Sequence, residues 1–264
     1  MDMATATDEL LYDVKDGVGT ITFNRPQARN ALTFAMYERL AEICEEVGRT
    51  PSVKVLVLTG AGEKAFAAGT DISQFRAFKT QQDALDYEAR GNRVMGMLEQ
   101  CPVPTIAAIA GACTGGGAGI AACCDIRIAT ADARYGFPIA RTLGNCLSMA
   151  NYARLYTLLG PAKVKDIIFT ARLIEAPEAL SIGLFSEVLP DAAALHARAA
   201  ELARTIAGHA PLTLRATKEA IRRISQKMRL EEEKDLILMC YMSSDFREGM
   251  EAFLNKRQPA WKGE

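Results

Sequence analysis

The chain opens with two short apolar runs flanking a polar turn. "LLYDVKDGVGTITFN" (Leu10–Asn24) turns at Asp16-Gly17, a dipeptide favoured in two-residue hairpin loops, and so predicts a pair of strands. In "FAMYERLAEICEEVGR" the residues Met36, Leu40, Ile43 and Val47 fall at helical spacing, which predicts a helix with Thr33 as its cap. "VKVLVLTG" (Val53–Gly60) is apolar without alternation and predicts a strand buried on both faces. "VPTIAAIAG" and "DIRIAT" predict two more strands. Between the first two, "AGEKAFAAGTDISQF" reads as a loop and residues 83–100 as a helix through Gly91 and Gly96. From about Leu147 the pattern is helical, broken by "FSEVLP". No linker, low-complexity tract or sustained repeat divides the chain.

Twice, then, a buried strand runs towards a glycine turn, near Gly69 and near Gly116. Ligands of parallel sheets sit at the carboxyl ends of strands, so the two turns are expected to face one site. The second lies in "AGACTGGGAGIAACCD" (Ala110–Asp125). Glycines at such density mark a sharp bend or a close approach to the backbone. A dinucleotide fingerprint fits only as Gly117-Ala118-Gly119-Ile120-Ala121-Ala122. Asp132 then follows Gly117 by 15 residues, short of the roughly 20 that fingerprint needs. No Lys-Ser/Thr follows the glycines, which excludes a P-loop. Two readings remain. One is tight packing against a neighbouring element. The other uses backbone N–H groups, which at a helix start have no intrahelical acceptor. One from each turn can hold a thioester oxygen as it becomes an enolate.

Composition narrows the field. Of the 264 residues, 49% are hydrophobic and 24% charged, an ordinary globular balance. With 31 basic and 32 acidic residues, the chain as a whole attracts neither nucleic acid nor an anionic membrane. Arg215, Lys218, Arg222 and Arg229 make a basic helical stripe. It has no aromatic interleaving and "LEEEKD" follows it, so RNA is not the expected partner. Seven cysteines without C-x-x-C spacing read as reduced, mostly buried thiols of a cytosolic protein. The only histidines are His196 and His209, too few for a zinc site or a His-driven triad, so no metal is expected. Cys101 to Cys124 carries no charge over 24 residues. Its Ala and Gly content and Pro102 and Pro104 argue against a membrane span. "MDMATATDELL" is not a secretory signal.

Four motifs, "TFNRPQARNAL", "VLTGAGEKAFAAGTDISQF", "PTIAAIAGACTGGGAGIAACCDIRIA" and "EGMEAFLNKRQPAWKG", resemble the enoyl-CoA hydratase/isomerase, or crotonase, family in order and spacing over nearly the whole chain. The resemblance implies an α/β fold: a crotonase-like spiral of ββα units over residues 1–195. A helical C-terminal region, 196–264, would belong to the same unit, cover the site and build a homotrimer or a dimer of trimers. It implies a cytoplasmic enzyme acting on acyl-CoA thioesters. No separate cofactor is called for, because coenzyme A is part of the substrate. By the same resemblance the oxyanion amides are those of Thr70, after "AAG", and Gly116, the middle glycine of "GGG". Ala28 and Arg29, with Ala68, Asp71 and Ile72, resemble the strip that contacts the CoA moiety. Asp71 also looks structural. Lys256 and Arg257 resemble the basic residues beside its phosphates.

The chain departs from the family at the acid/base pair. A hydratase of this family carries two glutamates, and their positions here are Gly119 and Ile139. Neither can exchange a proton, so ordinary hydration is not the expected reaction. Just beyond, "YGFPIARTLGNCLS" offers Arg141, Asn145, Cys146 and Ser148. Arg141 could grip a substrate carboxylate as a fork. Cys146 could act as a nucleophile if its pKa is lowered, although a small buried thiol is the plainer reading. Tyr135 and Tyr241 read as core rings. The expectation is an enzyme that stabilises a thioester enolate. Decarboxylation of a carboxyacyl-CoA, isomerisation of an enoyl-CoA, or acyl-CoA binding without catalysis stand as alternatives.

Overall fold

The structure is a computed structural model that describes residues 9–227 and 234–263. Strands β1 (Leu10–Lys15) and β2 (Val18–Phe23) pair antiparallel, from Leu10 opposite Phe23 to Lys15 opposite Val18. Asp16 and Gly17 both adopt positive φ, as a tight hairpin turn requires. Helix α1 (Phe34–Arg49) starts at Thr33, whose hydroxyl accepts from the Met36 N–H at 3.3 Å. Its buried face carries Met36, Leu40, Ile43 and Val47, as the spacing predicts.

The chain then winds. β3 (Val55–Gly60), β4 (Ala65–Ala67) and α2 (Gln81–Glu99) make one turn. β5 (Thr105–Ile109), β6 (Ala112–Thr114) and α3 (Gly116–Cys123) make the next. β7 (Ile126–Thr130), β8 (Arg134–Gly136), α4 (Ile139–Thr142) and α5 (Met149–Phe169) follow. Each turn gives one strand to a six-stranded sheet, ordered β1-β2-β3-β5-β7-β10, and one to a four-stranded sheet, ordered β4-β6-β8-β9. The remaining elements are β9 (Ile174–Glu175), α6 (Ala176–Ser181), β10 (Glu187–Leu189), α7 (Ala192–Ala207), α8 (Pro211–Gln226), α9 (Lys234–Tyr241) and α10 (Ser244–Leu254). Apart from the β1–β2 and β8–β9 pairs, the sheets are parallel.

The unbroken apolar run of β3 has a direct cause. Leu56 and Leu58 face the main core, while Val55 and Val57 face α7 through Leu195, Ala199 and Ala203. Both faces are covered, so no position is left polar. The boundary expected at residue 195 therefore falls inside α7, a helix packed on the sheet. The uncharged Cys101–Cys124 stretch forms β5, β6 and α3 in the interior. Among the described residues no helix is long and apolar enough to cross a membrane.

Two expectations need correction. The loop of residues 61–75 contains β4 and the start of a 3-10 helix, Ile72–Ala77, and β6 intervenes between β5 and the glycine run. Strands of three residues, Ala-Phe-Ala in β4 and Ala-Cys-Thr in β6, are too short to show a period. In the basic stripe Arg215 is exposed, and two other members are paired. Lys218 pairs with Asp125 at 2.7 Å and Arg222 with Glu219 at 2.6 Å. Arg229 lies outside the described residues.

Candidate active site

A cavity of about 570 Å³ opens where the two glycine turns meet. Their backbones touch: a methyl added at Gly115 would lie 3.3 Å from the Gly69 Cα. Gly69 has φ +102° and Gly115 φ +52°, conformations that L side chains rarely adopt. Both turns are fixed from behind, the second by the Gly115 N–H, which donates to the Gly136 carbonyl at 3.0 Å, and the first by its own neighbours. Asn30 is wholly buried and its Nδ2 donates to the carbonyls of Ala61 and Ala65, at 3.0 and 2.7 Å. Its neighbours Ala28 and Arg29 reach the cavity rim. The Ala68 N–H donates to the Arg29 carbonyl at 3.0 Å, and Leu32 and Asp71 bracket the turn through Leu32 N–H to Gly69 O and Asp71 N–H to Leu32 O, both 2.8 Å.

These bonds use the Gly69 carbonyl on one side of Thr70 and the Asp71 N–H on the other. The Thr70 N–H itself meets no protein acceptor among the described residues. Gly116 opens α3, so its N–H is one of the first-turn donors without an intrahelical partner. The two groups are close, since a methyl at Gly116 would lie 3.0 Å from the Thr70 Oγ1 and would collide with the Tyr37 hydroxyl. The Thr70 hydroxyl joins Tyr37 at 3.0 Å and Tyr87 at 3.2 Å. Burial pushes the Tyr37 phenol up to about 12 against the opposing Thr70 bond, with the charge of Glu88 adding to the rise. It therefore stays protonated.

Asp71 lines the cavity and caps the 3-10 helix, accepting from the Ser73 N–H and hydroxyl and from Arg25 at 3.1 Å. Burial raises its carboxyl, but the Ser73 and Arg25 bonds outweigh that and hold it below the usual value. Ala68 and Ile72 complete this wall. Gly119 and Ile139 both face the cavity. A methyl at Gly119 would already lie 3.0 Å from the Met95 Cε, so Met95 occupies the space a longer side chain would need. Asn145 and Cys146 line the far wall. The hydrogen bond to Cys240, then burial, pushes the Cys146 thiol up, the wrong direction for a thiolate nucleophile. The Ser148 hydroxyl caps α5 and donates to Asn92 at 2.7 Å.

Three candidates lie away from the cavity wall. Arg141 is exposed on α4, and Lys256 and Arg257 are exposed past α10, where Arg257 pairs with Glu248. Two residues that sequence reasoning missed or misjudged lie on the wall. Glu88, only 8% exposed, sits on α2. Tyr241 is a cavity residue as well as a core ring, and its hydroxyl donates to Glu88 Oε1 at 2.6 Å. Phe34, Phe75, Tyr87 and Tyr241 give this end of the cavity aromatic walls. A signal for Glu88 was present. Ala84, Glu88, Gly91, Met95 and Leu98 form one stripe at helical spacing, and Glu88 is the charge on it.

The fold and the amide-lined cavity define the class, and comparison with known proteins agrees. Residues 13–264 match the enoyl-CoA hydratase/isomerase family, and the chain belongs to it. It is 37% identical to the short-chain-enoyl-CoA hydratase of Clostridium acetobutylicum over 254 residues, 95% of this chain and 96% of the other. It is 33% identical to the 2,3-dehydroadipyl-CoA hydratase of Escherichia coli, over 97% of this chain and 99% of the other. An enoyl-CoA hydratase/carnithine racemase structure from Magnetospirillum magneticum superposes with a TM-score of 0.79 at 33% identity, covering 97% and 96% of the two chains. The protein is thus an acyl-CoA enzyme of that family with the fold the motifs imply.

Proposed function

We propose that the protein binds an acyl-CoA thioester with its carbonyl oxygen between the Thr70 and Gly116 N–H groups, and stabilises the enolate formed there. The observation that carries this reading is the pair of unpaired amides on two rigid turns at one cavity. Fixed N–H donors need no reorganisation as charge develops. Ala28, Arg29, Ala68, Asp71 and Ile72 form the rim on which the CoA moiety would rest. Lys256 and Arg257 stand outside this chain's cavity and would serve only a neighbouring copy. A trimeric assembly is consistent with α8, where Leu212, Ile221 and Ile224 are 78%, 57% and 63% exposed. Light scattering at micromolar concentration tests it, and a stable monomer would count against it.

Ordinary hydration is not the reaction we infer. Adding water across the double bond requires a group to activate water and one to protonate the α-carbon, each typically worth roughly 10²- to 10⁴-fold. Gly119 and Ile139 supply neither. Decarboxylation is less well supported than isomerisation, because Arg141 lies off the cavity wall and Arg90, which lies on it, is paired with Glu38. The test uses one preparation. Crotonyl-CoA hydration is followed by loss of enoyl absorbance, and binding of a saturated acyl-CoA by calorimetry. Micromolar binding with hydration far below an ordinary family hydratase is expected. Absence of binding would overturn the acyl-CoA reading, and fast hydration would overturn the exclusion of hydratase chemistry.

A further inference from the structure

The carboxylates that line the cavity among the described residues are Asp71 and Glu88. Asp71 is held by Arg25 and by Ser73. Glu88 is held differently, and its hydrogen bonds fix which way the proton points. The Cys146 carbonyl can only accept, so the group that meets it at 3.3 Å is the Asn145 amide nitrogen. The same nitrogen lies 3.3 Å from the Tyr241 hydroxyl, whose oxygen therefore accepts there. The Tyr241 proton is then free to go to Glu88. Burial disfavours a charged carboxyl and an O–H donor favours it, so the Tyr241 bond is the contact that works toward the base form. Asn145 Oδ1 is left buried without a partner among the described residues, so this wall can still accept from a ligand.

Glu88 is tied to the amide end through its own helix. Its neighbour Tyr87 on α2 meets the Thr70 hydroxyl at 3.2 Å, and Glu88, Thr70 and Gly116 line one cavity. A thioester held at Thr70 and Gly116 would share that cavity with the Glu88 carboxyl.

Building on the enolate reading above, we propose that Glu88 is the proton-transfer residue of this cavity, acting on a β,γ-unsaturated acyl thioester, with Tyr241 as its positioning residue. Its carboxylate takes a proton from the α-carbon. The C–H electron pair enters a dienolate whose charge rests on the thioester oxygen, under the two N–H groups. Glu88, now a carboxylic acid, returns the proton to the γ-carbon. The enolate electrons flow back and the double bond ends between the α- and β-carbons. Atoms and electrons balance without water, oxidant or a second carboxylate. One movable carboxyl suffices for this reaction, which accounts for a cavity that has Gly119 and Ile139 where a hydratase has glutamates.

The test compares wild type, Glu88→Gln and Tyr241→Phe on three readouts. These are calorimetric binding of butyryl-CoA, exchange of its α-protons in heavy water by NMR, and conversion of 3-hexenoyl-CoA to the conjugated isomer. Glu88→Gln should bind within about threefold of wild type and lose about a hundredfold or more of exchange and isomerisation. Tyr241→Phe should move the low-pH limb of the exchange rate to higher pH, because a carboxylate that loses an O–H donor is protonated more easily. The other groups that feel Glu88 are Tyr37 on α1, Tyr87 on its own helix, and Cys146 and Tyr152 beyond α4. These are shifted upward and stay neutral, and Cys240, lowered to about 7 by its bond with Cys146, is neutral across the acid limb, so none masks it. Exchange in Glu88→Gln within threefold of wild type would overturn the proposal, as would a wild type that binds butyryl-CoA and exchanges nothing. If Glu88→Gln does not fold, an unmoved profile in Tyr241→Phe overturns it. Failure of wild type to bind at all would sink the enolate reading instead.

Discussion

The cavity has two ends built on different principles. At one end the chemistry belongs to the backbone. The Thr70 and Gly116 amides are presented by turns that follow β4 and β6, the first braced by Asn30 and by the Leu32 bridge, the second by the Gly115 N–H on the Gly136 carbonyl. At the other end it belongs to side chains. Glu88, Asn145 and Tyr241 come from α2, from the segment after α4 and from α9, and meet only in three dimensions. A backbone donor is insensitive to most substitutions and fails only when the N–H is lost or its access blocked. A side-chain relay fails with one atom. On the proposed reading, one scaffold would keep its thioester grip at the backbone end while the proton-moving groups change position at the other.

The largest effect should come from attacking the backbone end where it is vulnerable. Thr70→Pro removes the N–H, and loss of one such donor costs roughly 10²–10³ in turnover. Isomerisation and α-proton exchange should fall by about a hundredfold or more. Circular dichroism and a thermal melt must show that the chain still folds. A folded, active Thr70→Pro protein would remove Thr70 from the oxyanion site. Gly116→Ala comes next, because its methyl collides with the Tyr37 hydroxyl. Overpacking of this kind costs about 1–3 kcal/mol, and calorimetry should show about tenfold or more weaker acyl-CoA binding. Unchanged affinity would mean that the turn relaxes freely.

The difference between the two ends also explains what the sequence made legible. The backbone end announces itself locally: strand, glycine turn and helix start lie within a few residues, and their order reveals Gly69 and Gly116. The buried strands and α1 are equally local, since their apolar runs are set by burial on known faces. The side-chain end is not local. Glu88 and Tyr241 are 153 residues apart, and only the spiral brings them together. The charge on the α2 stripe is visible in the sequence, yet an isolated Glu in a helix is ordinary on a surface. Arg141 shows the converse. It sits two residues past Ile139, and that proximity made it a candidate, but on α4 the two side chains diverge: Ile139 is buried and Arg141 exposed.

Thr70→Ala sharpens the comparison, because it separates the two roles of one residue. The amide survives, so the loss of turnover should stay within about tenfold. The hydroxyl that joins Tyr37 and Tyr87 does not survive. Leaving buried polar groups unpaired costs about 1–3 kcal/mol, which denaturant titration should show as a lower midpoint. A hundredfold loss of turnover at unchanged stability would assign the chemistry to the hydroxyl instead.

The smallest effect belongs to Arg141→Ala. Neither end of the cavity, as built here, uses this side chain. It is exposed, it does not line the wall, and α4 aims it away from Ile139, which does. Substitutions at such surface positions usually change stability by about 0.5 kcal/mol or less. Butyryl-CoA affinity, α-proton exchange and isomerisation should all remain within about twofold of wild type. The informative substrate is a carboxylated thioester such as malonyl-CoA or methylmalonyl-CoA. A guanidinium fork that holds a carboxylate contributes a charge-assisted, bidentate bond, and its removal should then cost tenfold or more on that substrate alone. Such a selective loss would mean that Arg141 reaches an acyl carboxylate in the working assembly, and would revive decarboxylation. Equal, near-wild-type behaviour on both substrate classes would leave the cavity with Glu88 as its working charge, and with proton relocation as the chemistry its two ends share.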